Sequence, residues 1–325
     1  MKIISKETSF LLALSQLKGI GRVAIKNIAE NTNPSCLNID YLAKQDKKIQ
    51  KALNDDSKVW DECLAFSEKQ IEYAKAHQSN IISILDDNYP TLLKSSKHDP
   101  AILFIKGNTR FNQAHNSVGI IGTREPTPHG KIITERISQF FIKNNWSIIS
   151  GLAIGCDSIA HQTAVKHKAH TIAVLAHGLE MIAPKQNEKL AEDILNEGGA
   201  LISQFPFKSE IRPTNFVMRD KIQAGLSKGI VMVQSDIQGG SLHASRAILM
   251  DNRWLAVPNP TKLDRDNQEA KIGANLVIID GKNSDIESLL ECNPDSISNI
   301  IKLYSKEDYS KLIISNDIEQ FLLTY

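Results

Sequence analysis

The sequence lacks an apolar run of the roughly 18 residues that a membrane span needs. Lys2 and Lys6 are not followed by an uninterrupted apolar stretch ending in small residues, so no secretory signal is read. Its 4 cysteines, Cys36, Cys63, Cys156 and Cys292, stand far apart and form no Cys-x-x-Cys pair, which excludes the common zinc and dithiol patterns. There is no repeat of fixed period and no low-complexity linker. A reducing cytoplasm is the expected setting, with no membrane partner. Net charge is nearly absent too, at +1, but it is unevenly spread. Residues 283–325 carry 8 acidic and 3 basic side chains, which leaves +6 on residues 1–282, a mild bias that suits a polyanionic partner.

At 325 residues the chain can bury a substantial core and hold two domains. Its most informative stretch runs from Val118 to His161. There Val118-Gly119-Ile120-Ile121 breaks into Gly122-Thr123-Arg124 before an amphipathic run from His129 to Asn144. Then Trp146-Ser147-Ile148-Ile149 breaks into Ser150-Gly151-Leu152-Ala153-Ile154-Gly155-Cys156-Asp157 before a second helical run. Two strand–loop–helix units in tandem describe a βαβ crossover, and their loops are expected side by side at the carboxyl edge of a parallel sheet. Further strands are expected at Thr171–Ala176, Ala200–Gln204, Gly229–Ser235 and Arg253–Val257, alternating with helices at 187–197, 216–226 and 242–251. This alternation predicts a doubly wound, extended Rossmann-like α/β sheet over 80–282. Ile81–Leu85 and Ala101–Ile105 read as a strand pair that introduces it.

Residues 1–79 read as a small all-α domain. Phe10, Leu11, Leu14 and Leu17 have helical spacing, Lys18-Gly19-Ile20-Gly21 interrupts, and Val23, Ala24 and Ile28 resume it. The pattern fits a helix-hairpin-helix or SAM-like module whose hairpin amides can meet a phosphate, and equally a tight turn in a small helical bundle. Residues 283–325 read as a short acidic helical tail, with helices over Ile297–Tyr304 and Ile318–Leu323 and a winged helix degenerate or absent.

Three loops carry candidate binding residues. Gly122, Thr123 and Arg124 offer amides, a helix start and a planar cation. Ser150 and Gly151 open the second loop, and Gln238-Gly239-Gly240-Ser241 forms a third ahead of a helix. Asp157 and His161, one helical turn apart, are either an acid–base pair or, more commonly for such a pair, a cap and a structural partner. His177-Gly178 ends the next strand and should face the crevice, with Lys185 close behind. From Arg212 to Lys228, 4 basic residues meet 1 acidic one, with Phe205, Phe207 and Phe216 nearby. Cations for a backbone and ring faces for bases suit single-stranded nucleic acid, although Phe216 equally fits a core position.

These residues resemble the DNA-processing protein A (DprA, or Smf) family. Its Gly-Ser-Arg turn stands here as Gly122-Thr123-Arg124, and its Ser-Gly-Leu-Ala-x-Gly-x-Asp-x-x-Ala-His signature is complete from Ser150 to His161. Later family segments match at Pro184-x-x-Asn187, Ala224–Ser227, Gly240–Leu242 and Ala256–Pro258. The resemblance implies a protein that binds single-stranded DNA in natural transformation, loads a RecA-type recombinase and forms a homodimer. It implies no catalytic residue, cofactor or metal. Contacts to DNA would come from Gly122, Thr123, Arg124, Ser150, Gly151, Lys185, Phe216, Arg219, Lys221, Gly239, Gly240 and Ser241. One family segment is altered: Phe-Pro-x-Arg-Asn-Arg appears as Phe216-Val217-Met218-Arg219-Asp220-Lys221, which exchanges one planar cation for lysine and adds an acid. The alternative is a nucleotide sensor or phosphoribohydrolase-like enzyme of the same superfamily, whose Pro-Gly-Gly-x-Gly-Thr motif is only half kept at Gln238–Ala244.

Overall fold

The computed structural model describes residues 4–110 and 116–313. Five helices come first: α1 (Lys6–Leu14), α2 (Arg22–Asn31), α3 (Ile39–Gln45), α4 (Lys47–Asp55) and α5 (Val59–Ala76). Gly19, at φ +85°, makes the hairpin between α1 and α2, a conformation that glycine adopts without a Cβ clash. The strands are β1 (Ser79–Ser83), β2 (Ile102–Gly107), β3 (Ser117–Ile121), β4 (Ser147–Ser150), β5 (Thr171–Leu175), β6 (Ala200–Ser203), β7 (Gly229–Met232), β8 (Trp254–Pro258) and β9 (Ile300–Leu303). Between them lie α6 (Thr91–Lys94), α7 (Pro128–Lys143), α8 (Cys156–Lys166), α9 (Glu188–Asn196), α10 (Pro213–Gly225), α11 (Ser241–Met250), α12 (Lys262–Asp266), α13 (Gly273–Asp280) and α14 (Asn283–Leu290).

All strands join one sheet in the order β1-β2-β6-β5-β4-β3-β7-β8-β9. From β6 to β9 every pair is parallel, while β1 and β2 attach antiparallel at one edge. The central strands are buried on both faces by helices, which is why they read as continuous apolar runs rather than alternating ones. The chain winds outward from β3 in one direction through β4, β5 and β6, then returns to β7 on the other side of β3. The β3/β7 junction is therefore the topological switch, where loops leaving the strand ends diverge and leave a crevice.

The N-terminal helices are not a separate body. Leu11, Leu12, Ile49 and Ala74 share one apolar core with Ile82, Phe104 and Ile202 of the sheet. The tail differs from the sequence expectation. Ile297–Tyr304 does not form a helix; a 3₁₀ turn over Pro294–Asn299 leads into β9, which pairs in parallel with β8 and buries Leu303. A short apolar run has no periodicity long enough to separate strand from helix, and an open sheet edge decides between them here. α14 buries Ile286 and Leu290 against α11 and α13, so residues 283–303 complete the sheet domain. The helix expected over Ile318–Leu323 lies outside the described residues.

Candidate functional site

The loops after β3, β4 and β7 are stitched into one surface. The Thr123 amide donates to the Gln234 carbonyl (2.8 Å), and the Cys156 amide donates to the Thr123 carbonyl (3.2 Å). The Gln234 side chain accepts from the Thr127 amide (3.0 Å) and donates to Thr127 Oγ1 (2.9 Å), while the same hydroxyl caps α7 by accepting from Gly130 N. Gly155, at φ +85°, lets the second loop pass directly against the Thr123 and Arg124 backbone, where a Cβ would strike both carbonyl oxygens. Ser241 Oγ, at the start of α11, donates to Ser235 Oγ (2.7 Å) and holds the third loop in place.

These loops and α10 enclose a cavity of about 540 Å³. Gly122, Thr123, Arg124, Gly239, Gly240 and Ser241 form its mouth, and Phe216, Arg219, Asp220 and Gln223 form the α10 wall. Arg124 is exposed, and its guanidinium carbon sits 6.0 Å from the centroid of the half-buried Phe216 ring. That is a cation–π distance that steadies the side chain without consuming its N–H groups. The amides of Arg124, Gly240 and Ser241 have no partner among the described residues, and two of them sit at the positive end of α11. Lys271, from the turn before α13, reaches the rim and pairs with Glu125 at 3.7 Å.

The inner wall has a different character. Arg219 is 5% exposed and lies between two carboxylates, with Nε 3.1 Å from Asp220 and Nη1 3.6 Å from Asp157. Gly151 makes this seat possible, since a Cβ there would coincide with the Arg219 guanidinium, and its amide donates to Asp157 Oδ2 (3.1 Å). Burial raises both carboxyl groups above their ordinary range, against the opposing pull of Arg219, and Asp220 is pushed up to about 7. His161 faces Thr171, not Asp157. Thr171 Oγ1 donates to the Ile148 carbonyl, so it accepts from His161 Nδ1 at 2.7 Å, and burial pushes the imidazole down to about 3 and keeps it neutral. No acid–base pair forms; Asp157 folds back onto its own loop and His161 is a core residue.

The structure brings together 8 of the 12 candidate residues along this cavity: Gly122, Thr123, Arg124, Phe216, Arg219, Gly239, Gly240 and Ser241. Arg219 stands in its wall as an internal ion pair instead of a free cation. Ser150 and Gly151 lie beneath it, buried, and the Ser150 hydroxyl is spent on the Ile120 carbonyl (2.6 Å). Lys185 is exposed in the turn before α9, and neither it nor the half-buried Lys221 of α10 is part of the lining. Phe207 is not exposed as its sequence context predicts. It is 3% exposed, stacked on His77 and edge-on to Phe104, where it fastens α5 to the sheet. His177 is also buried; Nε2 accepts from the Ala183 amide, which leaves Nδ1 to donate to the Gly178 carbonyl. Lys271, Asp236, Gln223 and His243 line the cavity without any motif to mark them in the sequence.

A mostly parallel α/β sheet with a crevice at its switch point, walled by glycine loops, defines an extended Rossmann-like protein. The chain belongs to the DNA recombination-mediator protein A family, whose model matches residues 80–288. Protein Smf of Synechocystis is 32% identical over 293 residues, covering 84% of this chain and 69% of that protein. Matches to the other curated relatives cover 52% to 70% of their lengths. The X-ray structure of DNA processing protein A from Streptococcus pneumoniae superposes with a TM-score of 0.64 at 25% identity, covering 86% of this chain and 99% of that one. DNA processing protein A from Helicobacter pylori, solved to explain its mode of binding single-stranded DNA, superposes with a TM-score of 0.54 at 26% identity over 66% of this chain and 98% of that one. Among the described residues no helix is long and apolar enough to cross a membrane, and no cluster of side chains could hold a metal.

Proposed function

We propose that this protein is a cytoplasmic recombination mediator that binds single-stranded DNA in the switch-point crevice, without chemistry, and delivers it to a RecA-type recombinase as a homodimer. The observation that carries the reading is Arg124 held over the Phe216 ring at the cavity mouth, beside the open amides of Gly240 and Ser241. A guanidinium and helix-end amides suit the sugar-phosphate backbone, and the half-exposed ring face suits a base. The anion contact is concentrated in Arg124, because Arg219 is neutralised internally and Lys185 and Lys221 lie off the cavity.

Fluorescence anisotropy of a labelled oligo-dT tests this, with duplex DNA and mononucleotides as competitors. Tight binding that weakens steeply with salt, resists duplex and falls at least tenfold in Arg124→Ala is the expected result. Displacement by a mononucleotide at micromolar levels, with little affinity for the oligonucleotide, would move the crevice to a free-nucleotide ligand. Binding unchanged between low and moderate salt would remove the phosphate contacts altogether. Light scattering of the free protein and a pull-down with a RecA-type recombinase test the assembly.

A further inference from the structure

Lys221, placed by sequence among the crevice cations, is absent from the crevice lining, and its surroundings define a second basic surface. α10 packs its Gly225 end against Leu93 and Ser96, so the helix runs from the crevice wall to the segment before β2. Lys221 stands on α10 one turn before Gly225, and its charge adds to burial in lowering His98, one residue past Lys97, and to burial and Arg246 in lowering His243 at the crevice. Arg22, the first residue of α2, donates to the Asp99 carbonyl (3.1 Å) and so joins the helical hairpin to this segment. Lys18 stands on the hairpin itself. Lys18, Arg22 and Lys97 are exposed, and none of Lys18, Lys97 and Lys221 has a carboxylate partner among the described residues.

Two acids stand beside this segment, and neither forms an ion pair with Lys97. Asp99 is buried and paired with Lys26 at 2.9 Å, and Asp251 accepts from the Lys97 amide (2.9 Å). The hairpin also presents α2 with no side-chain cap, and the amides of Gly21 and Arg22 are without partners among the described residues. Cations without a salt-bridge partner, carried on segments that connect the crevice wall to open hairpin amides, match the chemistry of a nucleic-acid backbone.

We propose that the strand bound in the crevice continues over Lys221 and Lys97 to the α1–α2 hairpin, making a second contact surface for the sugar-phosphate backbone of single-stranded DNA. This rests on the crevice reading above and extends its footprint from the sheet edge to the N-terminal helices. The crevice grips one end of the segment through Arg124 and Phe216, and the hairpin track adds length-dependent, sequence-independent affinity.

The test compares oligo-dT of about 8 and about 25 nucleotides, the first within and the second beyond typical single-strand site sizes of roughly 4–16 nucleotides, on wild type and on a Lys18→Glu, Lys97→Glu double variant. Circular dichroism melts confirm that both fold, since neither side chain is paired. The long oligonucleotide should bind the double variant about tenfold more weakly and with a shallower salt dependence, by roughly 0.7 in the log–log slope for each phosphate no longer neutralised. The short one should bind both proteins alike. Equal affinity of the two proteins for the long oligonucleotide overturns the track and leaves the crevice standing. If wild type binds neither length, the crevice reading and the track fall together.

Discussion

Two arginines in the same cavity have opposite fates. Arg124 is exposed, rests on an aromatic ring and keeps its donors, whereas Arg219 is buried between Asp157 and Asp220. Formal charge is equal, so function divides by solvation and partners: the mouth is available to a ligand and the floor is spent on the protein. Two motifs that each supply an arginine to one crevice therefore do not supply two free cations.

The largest effect should come from breaking the floor. Arg219→Met leaves two carboxylates facing each other in a buried site, and loss of one partner from a buried ionic cluster costs about 3–5 kcal/mol. Urea denaturation should show that loss as a fall in midpoint at constant slope. A variant as stable as wild type would mean that the floor is solvated, and the contrast with Arg124 would collapse. Gly151→Ala acts on the same seat from below, because its methyl occupies the place of the Arg219 guanidinium. Overpacking of this kind costs about 1–3 kcal/mol, and Arg219→Met, which carries no guanidinium to collide with the added methyl, should make the glycine replacement clearly less costly in the double variant, leaving the contact with Asp157 Oδ2 at 2.7 Å. Simple additivity in that cycle would show that Gly151 is there for another reason.

At the mouth the signs reverse. Arg124→Ala should change stability by less than about 0.5 kcal/mol, as expected for an exposed side chain, while oligo-dT affinity falls at least tenfold. Equal loss of stability and affinity would make Arg124 another structural cation.

The sheet, its switch point and the three loops are readable in the sequence, because a strand that ends in small residues and reopens as a helix leaves a pattern in single residues. Burial of charge leaves no such pattern. Nothing local distinguishes Arg219 from Arg124; the difference lies in Asp157, brought across from the loop after β4, and in the missing Cβ of Gly151, whose sequence role as a loop glycine conceals its role as a seat. The burial of Phe207 is hidden for the same reason, since its covering partners His77 and Tyr73 lie at the end of α5, far back in the chain. Lys271 reaches the rim only through the α12–α13 connection, which no spacing rule ties to the glycine loops. β9 is hidden by its brevity, and the sheet edge that accepts it exists only once β8 is in place.

The smallest predicted effect joins floor to mouth. Asp220 lines the cavity and titrates at about 7, raised by burial and by Asp157 and opposed by Arg219 and Arg124. An unfolded aspartate titrates near 3.9, so between about pH 4 and pH 7 the folded state holds a proton that the unfolded chain has released. Stability must then fall as pH rises through that window and level off above it. The same proton removes a negative charge from the wall that a phosphate would face. Oligo-dT affinity should accordingly drop a few-fold from pH 6 to pH 8 in wild type and stay flat in Asp220→Asn, which should also bind more tightly at pH 8. His243 lines the same cavity, and burial, Arg246 and Lys221 hold it below its usual range, with Glu291 opposing them. A flat profile in wild type would show that Arg219 keeps Asp220 ionised throughout, and the floor would then be electrostatically sealed from the mouth.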